Sequence, residues 1–332
     1  NNQIYMKAVV ITKFGEPDVL KLEEIDEPKP SPADVLVKVH ATALNRADLL
    51  QRRGQYPPPP GTREDIPGLE FAGEVEVVAD RVTKFKAGDR VMGLLSGEGY
   101  AEKIVTPEQL AFPIPANLNF EEAACIPEVF LTAYDALFSQ LELKAGERLL
   151  IHAVGSGVGI AALQLAKNSG AIVFGTAGSE KKLKKAHNLG LDSGINYKRQ
   201  DFGEVVFAET NGEGVQAILD MIGAAYWHKN MACLSSKGRM MILGLMGGSN
   251  VEVNLGTILK KRLRIMGSVL RARPLEEKSA LTKAFVKNCL PLFESGELKP
   301  IIDCTFPIEE AAQAHAYMEE NKNFGKIVLK IC

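Results

Sequence analysis

The sequence predicts an α/β protein in two parts: a doubly wound parallel-sheet domain and a β-rich domain built as a partly open barrel. Three observations carry this. From Phe120 onward, short glycine-punctuated β segments give way to a regular alternation of strand and helix. The buried-strand run Leu149–Ile151 passes through Gly155, Gly157 and Gly159 into a helical pattern with apolar residues at Ile160, Leu163, Leu165 and Ala166. After Arg271 the alternation stops, and the remaining helices and strands are most simply used to complete the first domain. The expected domains are residues 1–128 with 271–332, and 129–270 between them.

Composition fits this picture. A chain of 332 residues suits two domains, and 46% hydrophobic with 24% charged residues is ordinary for a soluble enzyme. The net charge of −2 gives no bulk-electrostatic reason to bind nucleic acid or a membrane surface. No apolar run approaches the ~18 residues of a membrane span, and no secretory signal is expected. Met6-Lys7-Ala8 reads as a natural start, with Asn1–Tyr5 either a remnant before it or ordinary sequence. Five scattered cysteines (Cys125, Cys233, Cys289, Cys304, Cys332) without a C-x-x-C pair read as reduced thiols of a cytoplasmic protein, with no four-cysteine zinc lobe.

In chain order, Met6–Thr12 and Leu20–Ile25 read as strands turned through Gly15 and Pro17, and Asp34–Ala41 is the clearest period-two strand. The segment Leu44-Asn45-Arg46-Ala47-Asp48-Leu49-Leu50 follows, then a stiff loop from Gly54 through Tyr56 and four prolines to Gly61. Further strands are expected at Phe71–Ala79, at Arg90–Leu94 and around Tyr100–Val105. Helices Glu121–Cys125 and Val129–Gln140 lead to the glycine loop. Strands at Ile172–Thr176, Gly194–Tyr197, Ala217–Ile222, Met240–Leu245 and Leu263–Val269 come next, with helices at Glu180–Leu189, near Phe202–Thr210 and at Tyr226–Leu234. With Leu149–Ile151 they make a six-stranded parallel sheet, whose ligand belongs at the switch point beside the first strand. A helix at Lys278–Ser295, strand Ile301–Phe306, a short helix near Glu309–Glu320 and strand Gly325–Ile331 end the chain.

A strand that turns through glycines into a helix leaves first-turn N–H groups and the positive dipole end free to hold a pyrophosphate. The pattern is not a strict G-x-G-x-x-G: counting back from Gly159, Val154 and Ser156 occupy the first two glycine positions. The alternative is a tight turn with no ligand, but glycines both before and at the helix start are hard to explain by turning alone. Sites for NAD place an Asp or Glu near the ribose 2′-OH, about 20 residues on. Here the second strand ends Gly175-Thr176-Ala177-Gly178-Ser179, with Lys181 and Lys182 following. A hydroxyl, a glycine and an ammonium suit a 2′-phosphate, so NADPH is the expected cofactor, with Lys182 on the phosphate. Glu180 is the one nearby carboxylate that argues the other way, and the outer lysines read as a solvated helix face.

Several longer stretches carry a family pattern: A-L-N-R-A-D-L-L-Q-R-R-G-Q-Y (Ala43–Tyr56), P-G-L-E-F-A-G-E-V (Pro67–Val75), I-P-E-V-F-L-T-A (Ile126–Ala133), T-A-G-S-E-K-K-L (Thr176–Leu183), G-L-M-G-G (Gly244–Gly248) and N-K-N-F-G-K-I-V-L (Asn321–Leu329). Through them nearly the whole chain resembles the zinc-free quinone oxidoreductases of the medium-chain dehydrogenase/reductase superfamily, nearest the p53-inducible (PIG-three-like) branch. The resemblance implies a Rossmann-type cofactor domain and a GroES-like catalytic domain. Zinc dehydrogenases of that superfamily hold their metal with Cys, His and Cys or Glu, and the matching positions here are Asn45, Leu69 and Glu128. An amide, an aliphatic side chain and one carboxylate do not make a tetrahedral zinc site. A quinone or α,β-unsaturated carbonyl spreads the incoming charge, so hydrogen-bond donors suffice to polarise it.

By the same resemblance Asn45 and Tyr56 lie at the nicotinamide and substrate, oriented by Arg46 and Asp48. The residues also allow plainer roles. N-R-A-D before an apolar run is a helix N-cap with an acidic third residue, and Asn45 is equally well that. Tyr56 may be read as a loop anchor, Arg46 with Asp48 as a local charge pair, Glu70 as half of a salt bridge, and His152 as core. For the cofactor the resemblance implies Ser156, Gly157 and Val158 at the pyrophosphate, Gly178 with Lys182 at the 2′-phosphate, Tyr197 near the adenine and Ile222 at the ribose or adenine. Gly244, Leu245 and Met246, with Leu270 and Asn323, line the nicotinamide side, Met246 being equally readable as core.

The leading expectation is an NADPH-dependent quinone reductase using neither zinc nor flavin. The rivals are an enone or enoyl-thioester reductase of the same fold, and a non-catalytic NADPH-binding sensor or crystallin-like protein. The resemblance further implies a homodimer joined edge to edge along Leu263–Val269, an edge that otherwise needs protection. No nucleic-acid or membrane partner is expected.

Overall fold

The computed structural model describes residues 4–331; the expectations for Asn1–Gln3 and for the thiol of Cys332 lie outside the described residues. It divides into two compact units, one formed by residues up to Leu131 together with those from Leu270, the other by Thr132–Val269.

The first unit opens with an antiparallel pair, β1 (Tyr5–Ile11) and β2 (Leu20–Asp26). The long strand β3 (Asp34–Ala43), buried at seven of its ten positions, organises the main sheet, and helix α1 (Arg46–Arg52) follows it directly. Then come β4 (Glu70–Val78), β5 (Arg90–Leu94), β6 (Lys103–Pro107) and the short β7 (Ala111–Pro113), which the sequence pattern does not announce. Helices α2 (Phe120–Ala123) and α3 (Pro127–Tyr134) close the segment. The helix expected over Val129–Gln140 changes type midway: Asp135–Gln140 is π-helical, with Leu141 N–H reaching back to the Ala136 carbonyl.

In the second unit, strands β8 (Arg148–Ile151), β9 (Ile172–Ala177), β10 (Ser193–Asn196), β11 (Val215–Asp220), β12 (Leu234–Ile242) and β13 (Arg264–Gly267) form one parallel sheet. Its order is β10-β9-β8-β11-β12-β13, the doubly wound arrangement expected. Leu150, Phe174, Ile195, Ile218 and Met240, one from each of the first five strands, meet in one buried cluster. Each such side chain contributes roughly 1.5–3 kcal/mol on burial. Helix α4 (Gly157–Asn168) is buried from Gly159 to Ala166, because Gly159, Ala161 and Ala162 let it lie close on the sheet. Around the sheet stand α5 (Glu180–His187), α6 (Phe202–Glu209), α7 (Trp227–Cys233) and α8 (Leu255–Lys261). The last was not expected: Leu255 and Leu259 are exposed, so no buried stripe marks it.

The chain then returns to the first unit through α9 (Leu275–Glu294), β14 (Ile302–Pro307), α10 (Ala311–Glu319) and β15 (Lys326–Lys330). Strand β15 pairs with β3, and the sheet path β14-β15-β3-β4-β5-β7 has two ends, with β6 added on β3. Leu49 of α1 shares a buried cluster with Ile327 and Leu329 of β15 and Met318 of α10, which fixes where α1 starts. Among the described residues no helix is long and apolar enough to cross a membrane, and Cys125, Cys233, Cys289 and Cys304 are free.

Candidate active site and cofactor loop

The start of α1 is the polar centre of the first unit. Asn45 sits at its N-cap in an extended conformation, and its backbone N–H donates to the Asp48 carboxylate at 2.8 Å, as the capping pattern requires. The amide side chain goes elsewhere. Its Nδ2 donates to Glu70 Oε1 at 2.8 Å and to the Ala43 carbonyl at 3.3 Å, and its Oδ1 accepts from Lys326 Nζ at 2.7 Å. Lys326, unmarked in the sequence, spends its other donors on the Leu44 carbonyl at 2.7 Å and Glu70 Oε1 at 2.8 Å. Glu70 Oε2 accepts the Glu128 backbone N–H at 2.8 Å. Glu70 is fully buried and Lys326 is 4% exposed, so the pair is a buried ion pair with its remaining polar atoms satisfied. Asn45 thus has both amide hydrogens and its oxygen engaged.

Behind it lies a second buried chain. The Arg52 guanidinium can only donate, so its contact with His315 Nδ1 at 3.2 Å puts the ring hydrogen on Nε2. Nε2 then donates to Tyr100 Oη at 3.1 Å, and that hydroxyl donates to Asp48 Oδ2 at 3.0 Å. Arg52 also pairs with Glu319. Burial, with Arg52 beside it, pulls the His315 pKa down to about 3, so the ring is neutral. Burial pushes Asp48 up to about 6 against the pull of its hydrogen bonds from Asn45 and Tyr100. The expected Arg46–Asp48 pair is replaced: Asp48 faces this chain, and Arg46 donates to Asn321 Oδ1 at 2.6 Å.

Tyr56 stands apart from that cluster, partly buried. The Arg271 guanidinium lies 5.2 Å over its ring and also donates to the Tyr56 carbonyl at 3.1 Å, to Gln51 Oε1 at 2.6 Å and to the Ser96 carbonyl at 2.6 Å. Lys278, 8% exposed, reaches Ser96 Oγ at 3.1 Å. Among the described residues of this unit no side chain hydrogen-bonds the Tyr56 hydroxyl. Its pKa is raised, first by burial and then by the nearby Glu128 carboxyl. Glu128 itself is pushed up to about 8 by burial and by Glu70, with Lys326 and Arg271 pulling the other way. Leu69 is 1% exposed. Among the described residues no three His, Cys, Asp or Glu side chains converge as a metal-holding group.

In the second unit, β8 runs into α4 through a turn in which Ala153 adopts φ +50°. Ser156 caps the helix: its Oγ accepts the Gly159 N–H at 3.0 Å and its carbonyl the Ile160 N–H at 2.9 Å. The N–H groups of Gly157 and Val158, which have no intrahelical acceptor, are left for an anion. A Cβ at Gly159 would stand 2.4 Å from the Ala153 carbonyl oxygen and 2.8 Å from Val154 Cα, so only glycine lets the helix start so close to the strand. Val154, in a glycine position of the usual fingerprint, is instead fully buried.

At the tip of β9, Ser179 caps α5, its Oγ accepting the Lys182 N–H at 3.3 Å. A Cβ at Gly178 would meet the Tyr197 hydroxyl at 2.7 Å and Lys198 Cε at 3.3 Å, so Gly178 is brought together with Tyr197 and Lys198, while Lys182 is tied to this tip through its backbone N–H on Ser179. Past β11 and β12, the Met246 N–H donates to the Met221 carbonyl at 3.3 Å and Gly247 to Ile222 at 2.7 Å, which ties Ile222 to the Gly244–Met246 loop. Leu245 and Met246 are 54% and 53% exposed, so Met246 is not core. His152 is fully buried, bonded to Thr176 Oγ1 at 3.1 Å and Asn230 Oδ1 at 2.7 Å, with burial drawing its pKa down to about 4. Leu270 and Asn323 belong to the first unit, both buried, and the Asn323 amide donates to the Gly325 carbonyl at 2.9 Å.

Known proteins share this architecture. A family model described as zinc-binding dehydrogenase matches residues 157–286, and one described as alcohol dehydrogenase GroES-like domain matches residues 31–116. The quinone oxidoreductase of Homo sapiens is 34% identical over 331 residues, covering 98% of each chain. The crystal structure of Escherichia coli quinone oxidoreductase complexed with NADPH superimposes with a TM-score of 0.86 at 29% identity, over 98% of this chain and 100% of that one. The CurK enoyl reductase gives 0.88 at 28% identity, over 98% and 99%. With a strand-to-helix glycine turn in one unit, a buried polar centre in the other and a relative matched from end to end, the chain belongs to the quinone oxidoreductases of the medium-chain dehydrogenase/reductase superfamily.

Proposed function

We propose that this protein reduces quinones by direct hydride transfer from NADPH, without zinc or flavin. The observation that carries the reading is the state of Asn45. At the positions where zinc dehydrogenases hold their metal, this chain has a saturated amide, a buried leucine and one carboxyl, and the Lys326 ammonium already supplies the local positive charge. That donor set does not fit a zinc ion. Polarisation of the acceptor falls to neutral donors, which suffices for a conjugated dione and is weak for a simple ketone.

Bound NADPH supplies the hydride from its nicotinamide C4. Ser156 with the Gly157 and Val158 N–H groups and the Gly159 turn suits its pyrophosphate, Gly178 with Lys182 its 2′-phosphate, and Tyr197, beside Gly178, the adenine end. Tyr56 keeps its hydroxyl protonated and available, so it donates to the acceptor oxygen as charge builds there, its ring held by Arg271. Asn45 acts through others: it joins Glu70 and Lys326 at the foot of α1. The likeness of the motifs at Ala43–Tyr56 and Pro67–Val75 to those of the p53-inducible branch supports reading the chain as nearest that branch.

The reading is tested by steady-state oxidation of NADPH and NADH with ortho-quinones, naphthoquinones, alkenals and crotonyl thioesters, with and without a chelator. Quinone turnover that prefers NADPH and ignores the chelator is expected; no quinone turnover refutes it. Faster turnover of the alkenals or thioesters transfers the assignment to enone or enoyl-thioester reduction, in line with the CurK neighbour's name as an enoyl reductase. NADPH binding with no acceptor turnover transfers it to a non-catalytic role.

We infer a cytoplasmic homodimer. The free cysteines support the compartment. Strand β13 has a sheet partner on one side only, and Leu255, Leu259 and Val269 are 72%, 78% and 57% exposed, a surface a second copy would cover. Sedimentation velocity at micromolar concentration checks this, and a monomer there refutes it.

A further inference from the structure

Asn196 closes β10 and is 4% exposed, yet its side chain serves neither the sheet nor the core. Its two ends are committed in opposite directions. Nδ2 donates to Glu180 Oε1 at 2.7 Å, and Oδ1 accepts the Lys198 N–H at 3.1 Å. The Asn196 carbonyl closes the turn below by accepting the N–H groups of Arg199 and Gln200, each at 2.9 Å, so the amide rests on a fixed frame.

Both partners bear on the proposed 2′-phosphate position. Glu180 follows Ser179 at the start of α5, where a free carboxylate would favour a ribose hydroxyl and repel a phosphate. It is bonded to Asn196 instead, with Arg199 Nη1 at 3.9 Å. Lys198 Cε lies 3.3 Å from the point a Cβ on Gly178 would occupy, beside the Tyr197 hydroxyl. The ammonium next to that carbon is therefore a cation at the same spot, one that charge patterning in the sequence does not single out.

Resting on the NADPH reading, we propose that Asn196 sets the preference for the phosphorylated cofactor by tying the Glu180 carboxylate away from the 2′-phosphate and turning Lys198 toward Gly178. Asn196 is a positioning residue in this scheme, and Lys198 a phosphate-binding one.

The test is equilibrium titration of the intact protein with 2′,5′-ADP and 5′-AMP, which differ only in the phosphate at issue. The parent binds 2′,5′-ADP more tightly by about tenfold or more, the scale of one charge-assisted contact. Asn196→Ala lowers that ratio about fivefold, and Glu180→Gln added to it restores part of the ratio, because removing the charge replaces holding it off but does not return Lys198 to its place. Glu180→Gln alone changes the ratio by less than about twofold. Lys198→Ala weakens 2′,5′-ADP about tenfold and leaves 5′-AMP unchanged.

No preference in the parent refutes the NADPH reading itself. A preference that survives Asn196→Ala, or whose loss Glu180→Gln does not restore even in part, overturns the role of Asn196. Should Asn196→Ala not fold, the single Glu180→Gln variant decides: a large gain in the ratio means the carboxylate was never held off.

Discussion

The buried pair of Lys326 and Glu70 makes the sharpest mechanical prediction. Lys326→Met keeps most of the side-chain volume and removes only the ammonium, together with three hydrogen bonds of 2.7, 2.7 and 2.8 Å. Glu70 has no exposure through which water could replace the lost partner, and its remaining donors are Asn45 Nδ2 and the Glu128 N–H. Removing one member of such a pair costs about 3–5 kcal/mol, a large share of the ~5–15 kcal/mol that holds a typical domain folded. At about 2–4 °C per kcal/mol for a unit of this size, the transition of the first unit falls by about 6–20 °C. Adding Glu70→Gln removes the stranded charge while keeping an acceptor for Asn45, so the double variant recovers about half of the loss. The assay is scanning calorimetry alongside urea unfolding of parent, single and double variants. A Lys326→Met variant within about 1 kcal/mol of the parent, or a double variant no better than the single one, refutes the claim that the ammonium neutralises a buried carboxylate.

Other expectations follow from the same contacts. Tyr56→Phe removes the hydroxyl of the ring that Arg271 covers and lowers kcat/KM for quinones about 10–100-fold with little change in melting temperature, read by stopped assays on matched protein. Gly159→Ala drives a Cβ to 2.4 Å from the Ala153 carbonyl oxygen; the forced shift costs about 1–3 kcal/mol and weakens NADPH binding, measured by cofactor fluorescence. Glu128, held near 8 when folded against an ordinary 4.5, binds a proton that the unfolded chain releases, so its contribution is intact below about pH 4.5 and is lost as pH rises to about 8. Glu128→Gln therefore melts higher than the parent at pH 9, and the difference closes at pH 4.5; a difference that stays constant across a pH series of melting curves refutes that assignment.

The doubly wound half was legible because each of its parts announces itself locally. Apolar runs such as Leu149–Ile151 are buried strands whatever follows them, and the glycines through Gly159 mark the passage from strand to helix, where the structure puts the Ala153 carbonyl oxygen 2.4 Å from the place of a Cβ. Elements whose residues face solvent were not legible in this way. Helix α8 exposes both of its leucines, and β12 begins through Ser235, Lys237 and Gly238, which read as a turn, with Lys237 at φ +60°. The polar centre was missed for a different reason, separation along the chain. N-R-A-D gives the cap at α1 correctly, because Asn45 and Asp48 are three residues apart. Nothing local says that the Asn45 amide will face a lysine 281 residues away, or that this lysine will also meet Glu70 across 256 residues. In K-I-V-L-K, Lys326 has the look of a strand residue pointing to water; only the antiparallel pairing of β15 with the end of β3 turns its ammonium inward beside Leu44. The same holds for Arg271 in R-A-R-P and for His315, whose neutral ring is settled by Arg52 from another helix. Local signals thus place a residue on its element, and the partner that decides its chemistry is supplied by topology. At Asn45 that partner changes the reading, from a free donor at the reacting carbonyl to a joint that locks α1, β4 and β15 together while Tyr56 keeps the free hydroxyl.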